Sequence, residues 1–244
     1  MLVTLILALA VQAAPAKPNF TGVWAGPGFT HKVGPNDTDT SSVRVYDSKN
    51  FSPFKPGGEA LFRRKPTGVE INDDPTAFCL PNGLTRQIHS PYAQQWIQAP
   101  DAMVVLYEYM HFFRVIPIGA PNRPHDKNVE MTWMGDSIGW WEGETFVVDT
   151  IGLKEWMLDA SLDTTNHTEG HWHSDAAHVI ERLRFMDRTT VSYKVTIDDP
   201  KIFTAPWSQD FEMKLHPTWK LLEFVCEENN RCIGGKCTPA DVQK

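Results

Sequence analysis

The second half of the chain is dominated by short segments rich in β-branched and aromatic residues, each bounded by turn residues. Residues 178–185 and 190–197 flank Asp187-Arg188 as one hairpin, and residues 139–150 turn at Glu142-Gly143-Glu144 as another. Almost no helical periodicity follows residue 66. Strands that are spaced by turns, without helices between them, predict an all-β fold with antiparallel pairing.

The predicted strands are 19–24, 102–109, 112–118, 130–134, the hairpin 139–150, 178–185, 190–197 and 220–226. The second and third can form one long bent strand, because Tyr109-Met110-His111 does not resemble a tight turn. We expect an antiparallel, lipocalin-like β-barrel of about eight to ten strands around a cavity, with a β-sandwich as the alternative. The Gly-x-Trp element at 22–24 resembles the one that places a tryptophan across the closed end of lipocalin-like barrels.

Residues 26–100 form a long irregular region rich in Pro, Gly, Asn and Asp, with a short predicted helix at 59–65. An irregular stretch of this length inside a compact domain is usually either functional or disordered. Cys79 provides an anchor within it, so we expect an ordered lid.

The first 14 residues form an apolar run that ends in the small residues Ala13 and Ala14. This is typical of a secretory signal, although the usual basic n-region is missing. The run is shorter than the roughly 20 apolar residues that a membrane-spanning helix needs, and no other segment is suited to span a membrane. We expect an exported protein, periplasmic or extracellular, with a signal peptide at 1–14, a single barrel domain at 19–230 and a tail at 231–244.

Four cysteines in an exported chain predict disulfides, because the compartment is oxidising. Three pairings are possible, and we favour Cys79–Cys226, which ties the irregular region to the last predicted strand, together with Cys232–Cys237, which closes the tail. A zinc site is the competing interpretation, but the spacings of the last three cysteines do not fit the usual ligand pairs.

Charge and aromatic content narrow the class of partner. The net charge is −7 and no run of Lys or Arg stands out, which argues against nucleic acid, since a phosphate backbone is bound through clustered positive charge. The nine Trp and 13 Phe residues indicate a core or cavity lined by rigid rings, suited to a small-molecule ligand.

Two stretches resemble signatures of a large family of secreted bacterial proteins of uncharacterised function. Residues 132–150 are similar to its Gly-Asp-Ser-x-Gly-x-Trp-Glu-Gly-Asp-Thr-Leu-Val-Val-Asp-Thr motif, and 173–182 to its His-Ser-Asp-x-x-His-x-x-Glu-Arg motif. The chain departs from the family at 119–125, where Gly-Ala-Pro-Asn-Arg-Pro-His replaces an Asp-Gly-Arg that precedes a His-Pro. The resemblance implies export and a β fold, and it implies no particular activity.

The histidines around residue 173 are the strongest candidates for chemistry. Side chains alternate on a strand, so His171 and His173 face the same way and can give two ligands to one divalent metal, with His178 or Glu181 as a third. Acid–base catalysis needs no metal, because an imidazole titrates near neutral pH and a carboxylate behind it can fix its tautomer. The alternative is a solvated loop whose histidines bond nearby carboxylates.

Glu181 shares a strand face with Val179 and Leu183, so we expect it to point into the barrel. A buried carboxylate must be paired, and Arg114 is the expected partner, either in a structural ion pair or in a site that holds an anionic group. If the strand around residue 110 is continuous, Glu108 lies on the same face as Arg114, whereas a bend at Met110 would separate them.

A Ser-His-Asp triad can be drawn from Ser137, His173 and Asp149, but no nucleophile elbow surrounds Ser137, so we give it little weight. Aromatic side chains are the candidates for stacking on a flat ligand, although aromatic residues in strands are more often core. The candidate ligand-binding residues are Trp140, Trp141, Trp172, Glu108 and Tyr193.

These observations predict an exported β-barrel enzyme that uses acid–base chemistry, with or without a divalent metal, on a small aromatic or apolar molecule. The reaction would be of lyase, isomerase or hydrolase type, and its catalytic residues would be His173, His178, Glu181 and Arg114. The alternatives are a non-catalytic barrel of the cell envelope or periplasm that binds a small ligand, and a structural domain of the envelope. The enzyme and the ligand-binding barrel both require the imidazoles and Glu181 to face a common hollow, whereas the absence of a cavity would favour the structural domain.

Overall fold

The structure, a computed structural model, describes residues 17–25, 46, 48–64, 76, 79–88, 90, 92–121, 123–159 and 170–226. The predicted signal peptide, the Cys232–Cys237 pairing and the tail at 231–244 lie outside these residues. In the described ranges, no helix is both long enough and apolar enough to cross a bilayer.

Strands dominate these ranges. They are β1 (Gly22–Ala25), β2 (Arg63–Arg64), β3 (Ala93–Gln98), β4 (Ala102–Tyr107), β5 (Phe113–Pro117), β6 (Asp136–Glu142), β7 (Thr145–Ile151), β8 (Trp156–Asp159), β9 (Gly170–His173), β10 (His178–Phe185), β11 (Thr190–Asp198) and β12 (Trp207–Leu215). The helical elements are α1 (Gly58–Phe62), α2 (Leu84–Ile88) and 3-10 turns at Ser48–Asn50 and Tyr109–His111.

Nine strands form one antiparallel sheet in the order β5-β4-β3-β1-β12-β11-β10-β7-β6. The sheet curls until its two edge strands, β5 and β6, approach each other, and a single bridge between Ile118 and Gly139 joins them. The predicted all-β antiparallel barrel is therefore confirmed, as a nearly closed barrel with a seam between β5 and β6. The lipocalin-like topology stays a prediction.

Gly139 allows the seam to form. A Cβ atom at this position would lie 2.7 Å from Phe146 Cζ and 3.1 Å from Ile116 Cγ2, closer than carbon atoms normally approach. The missing side chain lets β5 come near enough to β6 for Gly119 N to donate to Gly139 O at 2.9 Å.

The core follows from the alternation of side chains along the strands. In β10 and β11, the inward residues Val179, Leu183, Val191 and Val195 are almost completely buried. Phe20, Trp24 and Trp96 fill one part of the interior with rings in mutual contact. A second, three-stranded sheet in the order β2-β9-β8 lies beside the barrel and contacts α1 and α2.

Several strand predictions require correction. Residues 220–226 are not a strand, and only Thr132 of 130–134 pairs, in an isolated bridge with Leu153. Strands β3 and β12 were not predicted. The expected long strand across residue 110 is broken, because Met110 adopts a φ of 63° inside the turn Tyr109–His111.

Cys79 and Cys226 form a disulfide, as predicted. The bond joins residues that are 147 positions apart and ties the segment before α2 to the end of the described chain. Segment 220–226 also contacts the turn after β4, since Leu222 N donates to Glu108 Oε2 at 2.8 Å and Phe224 N to His111 Nε2 at 2.9 Å.

Candidate functional site

Strands β6, β7 and β10 carry polar residues on both faces. Because successive side chains point to opposite faces, Ser137, Thr150 and Glu181 enter the barrel, while Asp136, Asp149 and His178 point outward. We define an inner cluster and an outer cluster from these two sets. The inner cluster comprises Arg114, Ser137, Thr150, Glu181 and Tyr193, and the outer cluster comprises His125, Asp136, Asp149 and His178.

Arg114 and Glu181 form the centre of the inner cluster. Nη1 of Arg114 donates to Oε2 at 3.0 Å and Nη2 to Oε1 at 2.7 Å, a bidentate pair whose side chains are 3 % and 1 % exposed. Nη2 also donates to Ser137 Oγ at 2.9 Å and to Thr150 Oγ1 at 3.2 Å. The Tyr193 hydroxyl donates to Glu181 Oε2. The expected ion pair between Arg114 and Glu181 is confirmed.

These contacts fix the charge states of the inner cluster. Burial alone lowers the pKa of the Arg114 guanidinium, but the Glu181 carboxylate more than offsets this and the pKa lies well above its usual value. Burial, and then the charge of Glu181, raise the pKa of Tyr193 well above its usual value. Burial likewise raises the pKa of Tyr107, which lies beside Arg114. Both phenols therefore stay protonated at every physiological pH.

The space beside the inner cluster is small. It is enclosed mainly by apolar side chains, and the volume open to the centre of a water molecule is about 10 Å³. That is roughly the volume that a single water needs, so among the described residues the space beside the ion pair does not admit an organic ligand in this conformation. The lining includes Gln94, Trp96, Tyr107, Phe146, Leu183 and Tyr193.

The outer cluster joins two imidazoles to two carboxylates. His178 Nε2 bonds to Asp149 Oδ1. His125 Nδ1 lies 2.7 Å from Asp136 Oδ2, and His125 Nε2 lies 3.8 Å from Asp149 Oδ1. An ionised carboxylate can only accept, so Nε2 of His178 and Nδ1 of His125 each carry a proton. Asp149 thus lies between two imidazoles, one of which is held by a second carboxylate.

Exposure and charge distinguish His178 from the other groups. Its side chain is 34 % exposed, whereas that of His125 is 10 % exposed. The hydrogen bond to Asp149 raises the pKa of His178, against the opposing effect of partial burial, and the charges of Asp149 and Asp198 add to the rise. With Nε2 held by Asp149, Nδ1 is the nitrogen left to exchange a proton with another molecule.

His171 and His173 lie elsewhere, in the small sheet on β9. His171 stacks on Phe62 with ring centroids 4.6 Å apart. His173 is 2 % exposed; its Nδ1 donates to Ser174 O at 3.0 Å, and its buried Nε2 has no hydrogen-bond partner. Burial lowers the pKa of His173, although Asp199 and Glu155 oppose this. His171 is therefore part of the packing between the small sheet and α1, whereas His173 is buried with its ring bonded to the neighbouring backbone.

The common hollow expected for His173, His178 and Glu181 does not exist. His178 and Glu181 are three residues apart on one strand, and an odd separation places them on opposite faces. His173 precedes β10 on a different sheet. The structure brings together only Arg114 and Glu181 from the predicted catalytic set, and its predicted metal ligands His171 and His173 are separated from His178. Among the described residues, no three or more His, Cys, Asp or Glu side chains are arranged to hold a metal ion.

The predicted ligand-binding residues are also dispersed. Glu108 is separated from Arg114 by the bend at Met110, and Tyr107 occupies the inward position instead. Trp140 points outward and donates to Glu142, whereas Trp141 packs against Phe20 at the barrel end. Trp172 lies in the small sheet, where the guanidinium carbon of Arg64 is 4.2 Å from the centroid of the Trp172 ring. Tyr193 belongs to the inner cluster.

His125 and Asp136 were not among the predicted site residues. Asp136 is in the first family-like motif and His125 ends the segment 119–125, where the chain departs from the family pattern. That departure was the only signal for His125, since a loop residue's contacts do not follow from periodicity. Comparisons with protein-family models, curated proteins and solved structures found no match.

Proposed function

We propose that the protein is an exported β-barrel enzyme whose outer cluster carries out acid–base chemistry on a small molecule, with His178 as the proton-transfer group. The proposal rests on the environment of the His178 imidazole. Its Nε2 is bonded to Asp149, and its side chain is 34 % exposed to solvent. A carboxylate behind an imidazole fixes its tautomer and stabilises the imidazolium that forms when the other nitrogen takes a proton.

The other members of the cluster have supporting roles. Asp149 orients His178, and His125 lies on the other side of Asp149, with its Nε2 3.8 Å from Oδ1 and therefore beyond a hydrogen bond. Asp136 in turn holds His125 through Nδ1. In the strand register, Asp149 lies between Ile138, which is buried, and Ile180, which is half-buried, so a small molecule that reaches His178 meets the apolar side chain of Ile180 beside the polar groups. An apolar side chain beside the polar groups favours an aromatic or apolar substrate.

Export is supported by the Cys79–Cys226 disulfide, a bond that persists in oxidising compartments. The alternative of a barrel that binds a small ligand beside the inner cluster has less support, because the space there is about 10 Å³. The family resemblance is compatible with this proposal, since the outer cluster uses Asp136 and Asp149 of the first motif and His178 of the second.

The test is a panel of chromogenic substrates for ester hydrolysis, elimination and proton abstraction from carbon, applied to the mature protein. We expect His178→Asn to lower the rate of the catalysed reaction by about 100-fold or more, the typical effect of removing a general base. His216→Asn, which alters an imidazole stacked on Trp219 far along the chain, is the matched control. In wild type, the rate should rise with pH through the raised pKa of His178, because only the neutral imidazole accepts a proton.

The proposal fails if the reactions of the wild-type protein are unchanged by both His178→Asn and Asp149→Asn. It also fails if the wild type is inactive across the panel and His178 titrates at its ordinary pKa, since the outer cluster would then have neither activity nor a tuned imidazole.

A further inference from the structure

The barrel seam between β5 and β6 has almost no backbone pairing. Every other neighbouring pair in the sheet forms an antiparallel ladder of two or more residues, whereas β5 and β6 are joined by one parallel bridge, between Ile118 just after β5 and Gly139. A barrel with so weak a seam should open easily there, because edge strands are normally held by their ladder hydrogen bonds.

One side chain crosses the seam where the ladder is missing. Arg114, on β5, donates to Ser137 on β6 at 2.9 Å, to Thr150 on β7 at 3.2 Å and to both oxygens of Glu181 on β10. A single guanidinium therefore links the edge strand β5 to three strands on the other side. Ser137 and Thr150 also bond each other at 2.9 Å, which joins these contacts into one network.

The strand positions held by Arg114 are next to those of the outer cluster. Ser137 follows Asp136, and Thr150 follows Asp149, so each held residue points inward while its neighbour points outward from the same short backbone segment. Glu181 is on β10, the strand that begins with His178. The backbone positions of all three outward side chains thus depend on segments that the guanidinium fixes from inside.

We propose that Arg114 is a positioning residue for the outer cluster: it closes the barrel seam and fixes, from the interior, the segments of β6, β7 and β10 that project Asp136, Asp149 and His178. The catalytic meaning of this role rests on the proposed function, but the mechanical link does not. The planar fork of arginine is required, because a lysine ammonium cannot span a carboxylate bidentately and two hydroxyls at once.

The test weakens the hydrogen bonds of Arg114 across the seam and keeps the buried charges of Arg114 and Glu181. Thr150→Val keeps the β-branched shape and deletes one hydroxyl that accepts from Arg114, and Ser137→Ala deletes the other. Thr196→Val is the matched control, since it deletes a hydroxyl that bonds Ser208 at 2.8 Å on β11 and β12, away from the seam. Arg114→Lys retains the charge opposite Glu181 and loses the fork.

Two measurements that need no substrate are made on each protein: NMR titration of the His178 ring and hydrogen exchange of backbone amides in β5 and β6. We expect the His178 titration to move back towards the ordinary value, because Asp149 is held less firmly. Seam amides should exchange about tenfold faster or more, the factor for losing one hydrogen bond to a charged group. The effect should grow from the single variants to the double Ser137→Ala/Thr150→Val protein and to Arg114→Lys.

Each outcome decides a different point. If the His178 titration and the seam amide exchange of all the other variants match those of the Thr196→Val protein, Arg114 has no positioning role. The proposed function would then still stand. Shifted titrations in a protein whose reactions survive His178→Asn would confirm the positioning role and overturn the proposed function. If the seam amides exchange faster but the His178 titration does not move, Arg114 stabilises only the barrel seam. That outcome would also overturn the proposed positioning of the outer cluster.

Discussion

The inner and outer clusters share strands β6, β7 and β10, and on β6 and β7 their members are adjacent residues, yet the two clusters differ in almost every physical property. In the inner cluster, Arg114 and Glu181 are sealed and satisfy each other bidentately. In the outer cluster, His178 has a carboxylate on one ring nitrogen and solvent access to the rest of its ring. On β10, an odd separation of three positions therefore places the carboxylate of a locked ion pair and a titratable imidazole on opposite faces.

Solvent determines this difference. Inside the barrel the effective dielectric constant is low, so neither charge of the ion pair can be lost alone without a large cost. Outside, water screens the charges and a proton can come and go with a modest change in free energy. Charged residues on the inner face therefore depend on one another, whereas those on the outer face can change protonation state at a smaller cost in free energy.

The largest effect should come from breaking the inner pair. Glu181→Ala leaves the Arg114 guanidinium buried and uncompensated, and we expect a loss of about 3–5 kcal/mol in the free energy of unfolding, measured in urea. The control is Glu142→Gln, which removes an exposed partner of Arg182 at 2.7 Å and should cost about 0–1 kcal/mol.

A double variant checks the cause of that loss. In Arg114→Met/Glu181→Leu both charges are removed together, so the desolvation cost disappears with the attraction and much of the stability should return. A double variant as unstable as Glu181→Ala would show that the cavity or the lost hydroxyl contacts, and not an unpaired charge, dominate. Equal losses in Glu181→Ala and Glu142→Gln would erase the distinction between the two faces.

Tyr193→Phe probes the same interior with a smaller change. The variant removes the hydroxyl that donates to Glu181 and retains the ring, so we expect a loss of about 1.5–3 kcal/mol, the value for a hydrogen bond to a charged group. Tyr109→Phe is the control, because that ring stacks on Tyr92 at 4.6 Å outside the barrel interior. If both variants unfold at the same urea concentration, the phenol contributes nothing to the inner cluster.

Sequence reasoning reached the inner cluster but, of the outer cluster, named only His178 as a site residue, and the reason is physical. The alternation around Val179 and Leu183 places Glu181 inside, and a buried carboxylate calls for a cation, which led to Arg114. The outer cluster depends on how the segment 119–125 folds back to bring His125 against Asp136, and no periodic rule governs such a loop. The same alternation of side chains places His178 and Glu181 on opposite faces of the strand. A site shared by these two residues was therefore inconsistent with the alternation that placed Glu181 inside the barrel.

The missed strands have a similar explanation. In β12 the inward positions opposite Ile197, Val195 and Tyr193 are Trp207, Gln209 and Phe211, so a glutamine interrupts the apolar alternation. Strand β3 contains three glutamines among six residues. The sequence indicates strands well where the inward face is uniformly apolar, and poorly where a central strand of the barrel carries an amide.

The smallest expected effect compares two histidines with opposite environments through the pH dependence of stability. Asp149 raises the pKa of His178 in the folded state, so its stabilising contribution is complete below the unfolded value of about 6.5 and is lost as pH rises through the folded pKa. Burial lowers the pKa of His173, so its contribution is present above about 6.5 and is lost as pH falls towards the folded pKa.

The two histidines therefore act in opposite directions, and their variants should separate them. Between pH 8 and pH 5, His178→Asn should lose unfolding free energy more steeply with falling pH than wild type, and His173→Gln less steeply, in urea titrations at about half-unit steps. Parallel curves for wild type and His178→Asn would mean that Asp149 does not hold a proton on His178. The outer face would then differ from the inner one in exposure only, without the charge coupling on which acid–base chemistry depends.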